Sequence, residues 1–380
     1  MTARGFYTLL FGLIMLFTAL SVGSAGAFLL GAAALIVWAL SLASVLFAYF
    51  SCRLSQQLGS KEVSRGTPCP YMLSIRQFSP LPIAPLSLRM SMPSGRQSEY
   101  ILPTRLFGWT HSDNAFSCPH VGVFPVGVMR ITFCDVFSLF TLCLSVRQPL
   151  LPVTVLPVPR ETAPLETSPG EGENTTAQRA QADRTTPSDT RLWQEGDELK
   201  RVHWKLSMRR QELMVRTYEM PQRPDALVLL DLAPPAAQGV QRAAIIDALT
   251  ETCAGVLESL LDQHRTARLP LSGDHPRELS GQDPRALSPM LHALAQESFS
   301  RPADFSRVLM LASRGMRRTG STVILTASLS PSVADAVISL SRMGPHTRVY
   351  LVTPGEPTAE QAQLVHLLET CGIQTEIISI

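Results

Sequence analysis

The chain has 380 residues, with 33 Lys and Arg against 31 Asp and Glu, so its net charge of +2 provides no global field for nucleic acid. Its seven cysteines (Cys52, Cys69, Cys118, Cys134, Cys143, Cys253 and Cys371) are scattered singly. Without a C-x-x-C, neither a zinc site nor a thioredoxin-like pair is signalled, and lone buried thiols suit a reducing compartment.

From Gly5 to Cys52 no residue is charged, about twice the ~20 residues a helix needs to cross a bilayer. The small-residue run Ser21 to Ala27 divides this stretch, which predicts two transmembrane helices joined by a tight turn, with residues 6–50 in lipid. Arg4 precedes the pair, and Arg53, Lys61 and Arg65 follow it. The positive-inside rule therefore expects both ends in the cytoplasm and the protein in the inner (plasma) membrane. The alternative is a cleavable signal peptide ending at Ala25-Gly26-Ala27. It leaves Phe28 to Phe50 as one span, and the basic flank again keeps the remainder inside.

After this segment (residues 1–53), residues 54–158 are proline-rich and lack helical periodicity. His120 to Val146 places β-branched and aromatic residues near period two, with Gly and Pro as punctuation, which predicts short antiparallel strands. Leu151 to Val158 is expected at an edge, because its prolines interrupt a ladder. The region is expected to form a small β-sandwich. Residues 159–190 have hardly any large apolar side chains and are expected to be a disordered linker.

Residues 191–380 read differently. Asp225 to Ala233 is a continuous apolar run of strand length, as in a strand buried on both faces of a parallel sheet. Gln241 to His264 carries a helical apolar stripe. The order then repeats: a weak strand around Leu269, a helix over Pro284–Phe299, a strand over Ser321–Ala327, a helix over Pro331–Arg342, a strand over Thr347–Thr353, a helix over Thr358–Thr370, and a closing strand. Strand and helix alternating in this way predict an open α/β sheet with right-handed crossovers. The architecture expected overall is a membrane-anchored α/β protein with a transmembrane pair and a small β-sandwich-like domain.

Ligands in such sheets sit beyond the carboxyl ends of the strands, here at Asp231. No G-x-G-x-x-G, P-loop or G-x-S-x-G occurs, so dinucleotide binding, NTP hydrolysis and an acyl-transfer nucleophile are not signalled. An α/β domain whose first strand ends in Asp resembles a von Willebrand factor A-type domain. Its cation-binding members read Asp-x-Ser-x-Ser there, where Ala233 and Pro235 replace both serines in this chain. The later acid is replaced by Ala327. A hard cation needs several oxygen ligands, so Asp231 is a degenerate metal position and no cofactor is expected.

The densest chemistry lies in Gly196 to Arg216. Asp197 is expected to cap a helix over Glu198–Arg209, placing Arg201, Lys205 and Arg209 on one face and Trp204 with Met208 on another. Glu212 to Glu219 alternates as a half-exposed strand. The segment is either an anion or partner-protein contact through Arg201, Lys205 and Arg209, or a brace with Trp204 packed inward. His203 has no second His or Cys nearby and is expected to hydrogen-bond rather than bind metal.

These residues resemble the hallmark of the bacterial domain-of-unknown-function fifty-eight family, Arg-x-Tyr-x-x-Gly-Asp-x-x-Arg-x-Ile-His-Trp-Lys, followed by Ala-Arg and Leu-x-Val-Arg. The match here is Arg191, Gly196, Asp197, Arg201, Val202, His203, Trp204, Lys205, Arg209 and Leu213 through Arg216, with Trp193 in the usual Tyr position and Met208 in that of Ala. A second signature matches Gly122, Phe124 and Gly127, then Asp135, Phe137, Leu139 and Phe140; Val136 and Ser138 replace its usual Pro and Gly. The resemblance implies a von Willebrand A-like membrane protein associated with MoxR-type AAA ATPases and, in some cases, transglutaminase-like membrane proteins. It brings no catalytic residues. The expected function is a non-enzymatic, membrane-tethered cytoplasmic interaction or assembly module working with such an ATPase. The alternatives are a divalent-cation-dependent binding module and, less favoured, a cell-envelope-related enzyme.

Overall fold

The computed structural model describes residues 2–78, 83–93, 97–103, 105, 107–146, 148–163, 189–193, 202–217, 225–273, 276–300, 304–314, 319–343 and 345–380. They divide into two compact units, Met1–Val158 with His292–Gln296, and Pro159–Leu291 with Glu297–Ile380.

The first unit begins with an apolar helical hairpin, α1 (Ala3–Val22) and α2 (Ala25–Ser51). The Thr2 hydroxyl caps α1 by accepting from Gly5 N–H, and Ser24 does the same for α2 from Ala27 N–H. Gly23, in the left-handed conformation, closes α1 between them. The helices cross closely at Gly12 and Gly31: a Cβ on Gly31 would stand 3.0 Å from Leu16 N and 3.1 Å from Gly12 O. Both helices are long and apolar enough to cross a membrane.

At 27 residues, α2 is the longer helix, about 40 Å at 1.5 Å per residue. Its final third is not lipid-like in its surroundings. Val45 and Ala48 are buried in the core of the β domain, with Trp38, Leu42 and Tyr49 packed against the same cluster.

That core is closed by two sheets. The first orders β1 (Arg53–Leu58), β3 (Pro68–Phe78) and β6 (Phe107–Ser117), all antiparallel. The second runs β2 (Glu62–Ser64), β9 (Leu151–Leu156), β7 (Gly122–Cys134), β4 (Leu86–Ser91) and β5 (Gln97–Leu102), with β8 (Thr141–Ser145) also on β7. Alternate residues point inward: Tyr71, Leu73 and Ile75 from β3 meet Leu86, Leu88 and Met90 from β4 and Val153 and Val155 from β9. The antiparallel strands expected between His120 and Val146 are the β7–β8 hairpin. The expected edge strand, β9, is second from the edge instead. The three-residue β2 covers it in parallel only over Thr154–Leu156, beyond Pro152, whose missing N–H limits what that half can pair with.

The second unit contains the open sheet. Its order is β14 (Arg277–Gly281), β13 (Ala267–Leu271), β12 (Asp225–Leu230), β15 (Thr319–Thr326), β16 (His346–Thr353) and β17 (Gln374–Ser379), parallel except for β14. The two-stranded β10 (Asp189–Leu192) and β11 (Met214–Thr217), with α3 (Trp204–Arg210), stand apart from that ladder. The remaining helices are α4 (Gly239–Asp262), α5 (Leu287–Gln296, after a 3-10 turn at Pro284–Ala286), α6 (Phe305–Ser313), α7 (Pro331–Ser341) and α8 (Ala359–Thr370). Leu227 and Leu229 of β12 join α6, α7 and α8 in one core, while the alternate residues Ala226, Val228 and Leu230 are buried on the opposite face.

Two features differ from the sequence expectation. β14 and α6 interpose between the expected elements; β14 is too polar to show alternation and is held on β13 by an exposed Arg268–Glu278 ion pair at 2.6 Å. Residues 159–163, expected within a disordered linker, are tied to the second unit. Arg160 N–H donates to Glu251 O at 3.1 Å, and Arg348 Nη1 donates to Ala163 O at 2.9 Å. Of the rest of that linker, Asp189 and Thr190 begin β10, and residues 164–188 lie outside the described residues.

Candidate functional site

From β12 the chain builds β13 and β14 on one side and then crosses to β15 on the other, so the carboxyl ends of β12 and β15 form the switch point where open sheets bind ligands. Asp231 stands there, buried, with both oxygens engaged. Its Oδ1 accepts from Ala233 N–H at 3.0 Å, and its Oδ2 lies 2.7 Å from the Thr326 hydroxyl. That hydroxyl also lies 3.0 Å from the Ser328 carbonyl oxygen and accepts from Ser328 N–H at 3.0 Å. A hydroxyl has one proton. It serves both the carboxyl and the Ser328 carbonyl only when the carboxyl carries a proton of its own.

Burial pushes the Asp231 carboxyl above the ordinary carboxylate range, against the hydrogen bonds from Thr326 and Ala233 that pull it down. The arrangement thus joins two strand ends and ties Asp231 inward, where a cation would need outward-facing oxygens. Among the described residues no group of three or more His, Cys, Asp or Glu is placed to hold a metal ion.

The signature segment folds as a small clip. Strands β10 and β11 pair antiparallel from Asp189↔Thr217 to Leu192↔Met214, and Trp193 N–H donates to Leu213 O at 2.7 Å. Gly196, Asp197 and Arg201 lie outside the described residues. Val202 bridges Val215, so the chain is extended at that point, and of the helix expected over Glu198–Arg209 the described residues form Trp204–Arg210. Its cap is His203: the ring Nδ1 accepts from Leu206 N–H at 3.3 Å, while His203 N–H donates to Met214 O at 2.8 Å. His203 is therefore a hydrogen-bonding residue, in the role of an N-cap.

Trp204 corrects the inward-packed expectation, being 59% exposed, with Met208 one turn on at 80%. What packs inward is Ser207, one position before Met208. Its hydroxyl accepts from the buried Met214 N–H at 2.9 Å and donates back toward His203 O at 3.1 Å, fastening α3 to β11. Sequence reasoning missed Ser207; its only signal is a small polar residue between the larger side chains of Trp204, Lys205 and Met208. Lys205 and Arg209 keep their four-residue spacing and are exposed, as is Arg210. The clip therefore presents Trp, Met and cations outward and spends its polar bonds on holding itself together.

The second signature also acquires a structural meaning. Asp135, 2% exposed, accepts from Phe140 N–H at 2.7 Å and Phe137 N–H at 3.1 Å, and from the Ser41 hydroxyl of α2. Thr2 donates its N–H to Leu139 O at 3.0 Å and its hydroxyl toward Ser138 O and Leu139 O at 2.8 Å. Ser138, in the usual Gly position, has φ 56°. The Asp135–Phe140 turn is thus the joint between the apolar hairpin and the β domain.

Residues 189–360 match the family model described as "Protein of unknown function DUF58". No curated protein matches the chain. Among solved structures, Cwp6 from Clostridium difficile is similar at 11% identity and a TM-score of 0.20, over 86% of this chain and 37% of that one. The chain thus spans little more than a third of that relative's length, and a likeness at this level carries no argument about fold.

Proposed function

We propose that this chain, which belongs to the DUF58 family through residues 189–360, is a non-enzymatic, membrane-tethered interaction module for a MoxR-type AAA ATPase. The observation that supports the reading is the outward face of α3. A tryptophan and a methionine, exposed one helical turn apart and flanked by Lys205, Arg209 and Arg210, have the composition of a binding hot spot for an acidic surface. α1 and α2 are the transmembrane anchor, and the basic flank of Arg53, Lys61 and Arg65 keeps the soluble units in the cytoplasm. The open sheet is a von Willebrand A-type scaffold that has lost its cation ligands and kept its strand-end aspartate as a brace. A transglutaminase-like membrane protein is a further candidate partner.

Affinity capture of the full chain from its native membranes is the test. An AAA ATPase identified in the wild-type eluate should fall at least about tenfold with Trp204→Ala combined with Arg209→Glu, since a single hot-spot residue contributes more than about 1.4 kcal/mol. Absence of an ATPase from the wild-type eluate, or recovery indifferent to these changes, sinks the reading. Phosphatase and fluorescent-protein fusions at Ile380 test the topology separately.

A cation-dependent binding module is the second reading, favoured only by the place of Asp231 at the switch point. Saturable magnesium or manganese binding by calorimetry, lost in Asp231→Ala, would establish it over the first.

A further inference from the structure

Ser41 and Ser44 interrupt an otherwise apolar helix, and both face the Asp135–Phe140 turn or its own helix backbone: Ser41 donates to Asp135, Ser44 to Ser41 O. Trp38 lies at the same level. Its Nε1–H donates to Gly5 O at 3.0 Å, and its ring meets Phe140 edge-on at 5.2 Å between centroids. Together with the Thr2 bonds to Ser138 and Leu139, these contacts put the turn, the first turn of α1 and the middle of α2 at one height.

That height is defined physically. α1 has 20 residues and is about 30 Å long, matching the hydrocarbon thickness of a bilayer, so its N-terminus lies at one face of the lipid. Phe6 and Tyr7, exposed and in edge contact with each other, stand there, where aromatic residues prefer to sit. Exposed Leu10, Phe11, Ile14 and Phe17 continue the apolar band along α1. The tip of the turn shares this surface. Val136 is 54% exposed and Phe137 61%, and with Val37, Leu40, Ser41 and Asp135 they line a cavity of about 170 Å³ against α2. Val37 and Leu40 are themselves exposed residues of the apolar span, so the groove is continuous with the lipid-facing side of α2. The polar atoms of the turn point inward, and Arg4, exposed in the first turn of α1, supplies positive charge at the same level.

We infer that the Val136–Phe137 tip is a lipid-inserting wedge: the two side chains enter the headgroup–acyl boundary beside α1 and α2, and the groove they form with Val37 and Leu40 receives a phospholipid acyl chain, with Arg4 toward its phosphate. This rests on the reading of α1 and α2 as membrane-spanning. The wedge gives the β domain a third attachment to the bilayer, so the joint carries that domain at a set tilt rather than on a free stalk.

The test is photo-crosslinking of the full chain in its native membrane, with benzoylphenylalanine placed singly at 137, at 136 and, mid-span on α1, at 17. The wedge is supported by a mass increase of one phospholipid at 137 or 136 comparable in yield to that at 17. A lipid adduct at 17 with none at 137 and 136, or with adducts there to a protein instead, overturns the wedge and leaves the anchor standing. No lipid adduct at any of the three overturns the anchor and the wedge together.

Discussion

Replacing Asp135 by Ala removes the acceptor of three donors at once: Phe140 N–H, Phe137 N–H and the Ser41 hydroxyl. Phe137 is exposed, and at the headgroup boundary water or phosphate oxygens replace that bond at little cost. Phe140 and Ser41 are buried and are left as orphan donors, each worth about 1–3 kcal/mol, so the Ala variant should lose roughly 2–6 kcal/mol. Asn keeps one carbonyl oxygen for Phe140 N–H, and the Ser41 hydroxyl can turn to accept from its amide. The Asn variant should therefore lose only about 1 kcal/mol.

Cys69 and Cys118, fully buried in the β core, report the opening of that unit through their rate of maleimide labelling, once the half-buried Cys52 and Cys134 and the exposed Cys143 and Cys371 are changed to Ser. At about 1.4 kcal/mol per factor of ten, Asp135→Ala should raise the rate at least ~30-fold and Asp135→Asn ~5-fold. Labelling of the buried Cys253 in the other unit should not change. A double-mutant cycle with Ser41→Ala should show coupling of about 0.5–3 kcal/mol. Unchanged labelling in Asp135→Ala, an Asn variant as damaged as the Ala one, or zero coupling to Ser41 would refute the account of the joint.

Ser138→Gly should stabilise the same unit by about 0.5–1 kcal/mol, the relief of a left-handed Ser at φ 56° less the entropy gained by the unfolded chain, read as slower labelling of Cys69. Ser207→Ala should cost about 1–3 kcal/mol by orphaning Met214 N–H, seen as faster hydrogen exchange in β11, whereas Trp204→Ala should change stability by less than about 0.5 kcal/mol. Gly255→Ala sets a Cβ against the Arg160 carbonyl oxygen and should loosen residues 159–163 by about 1–3 kcal/mol, increasing tryptic cleavage after Arg160. Because the Asp231 carboxyl is raised in the folded chain, the native state holds more protons than the unfolded one between the ordinary value of 3.8 and its folded value. Stability of the α/β unit should therefore fall as pH rises through that window and level off above it; Asp231→Asn should flatten the dependence, as measured by hydrogen exchange of β12 and β15 across pH.

What the sequence settled by itself was whatever leaves a periodic or compositional trace: the charge-free hairpin, the run of buried parallel strands, the long helix α4 and the aspartate at the end of the first strand of the open sheet. Those features follow from burial, which dictates residue type position by position along one segment. β14 left no trace because an edge strand with both faces near water needs no apolar alternation. α3 was misplaced because Val202 is held by a long-range partner, Val215, that no local propensity encodes. The second signature marks Asp135, but nothing in the sequence pairs it with Ser41, 94 positions away, or sets Thr2 against Leu139, 137 positions away. Only packing brings them into one joint, since a hydrogen bond between distant residues depends on where the chain carries them and not on how they are spaced along it. For the same reason the direction of Trp204, inward or outward, was decided by the tertiary structure alone: Ser207, three residues on, found a buried backbone partner in Met214, while Trp204 was left at the solvent.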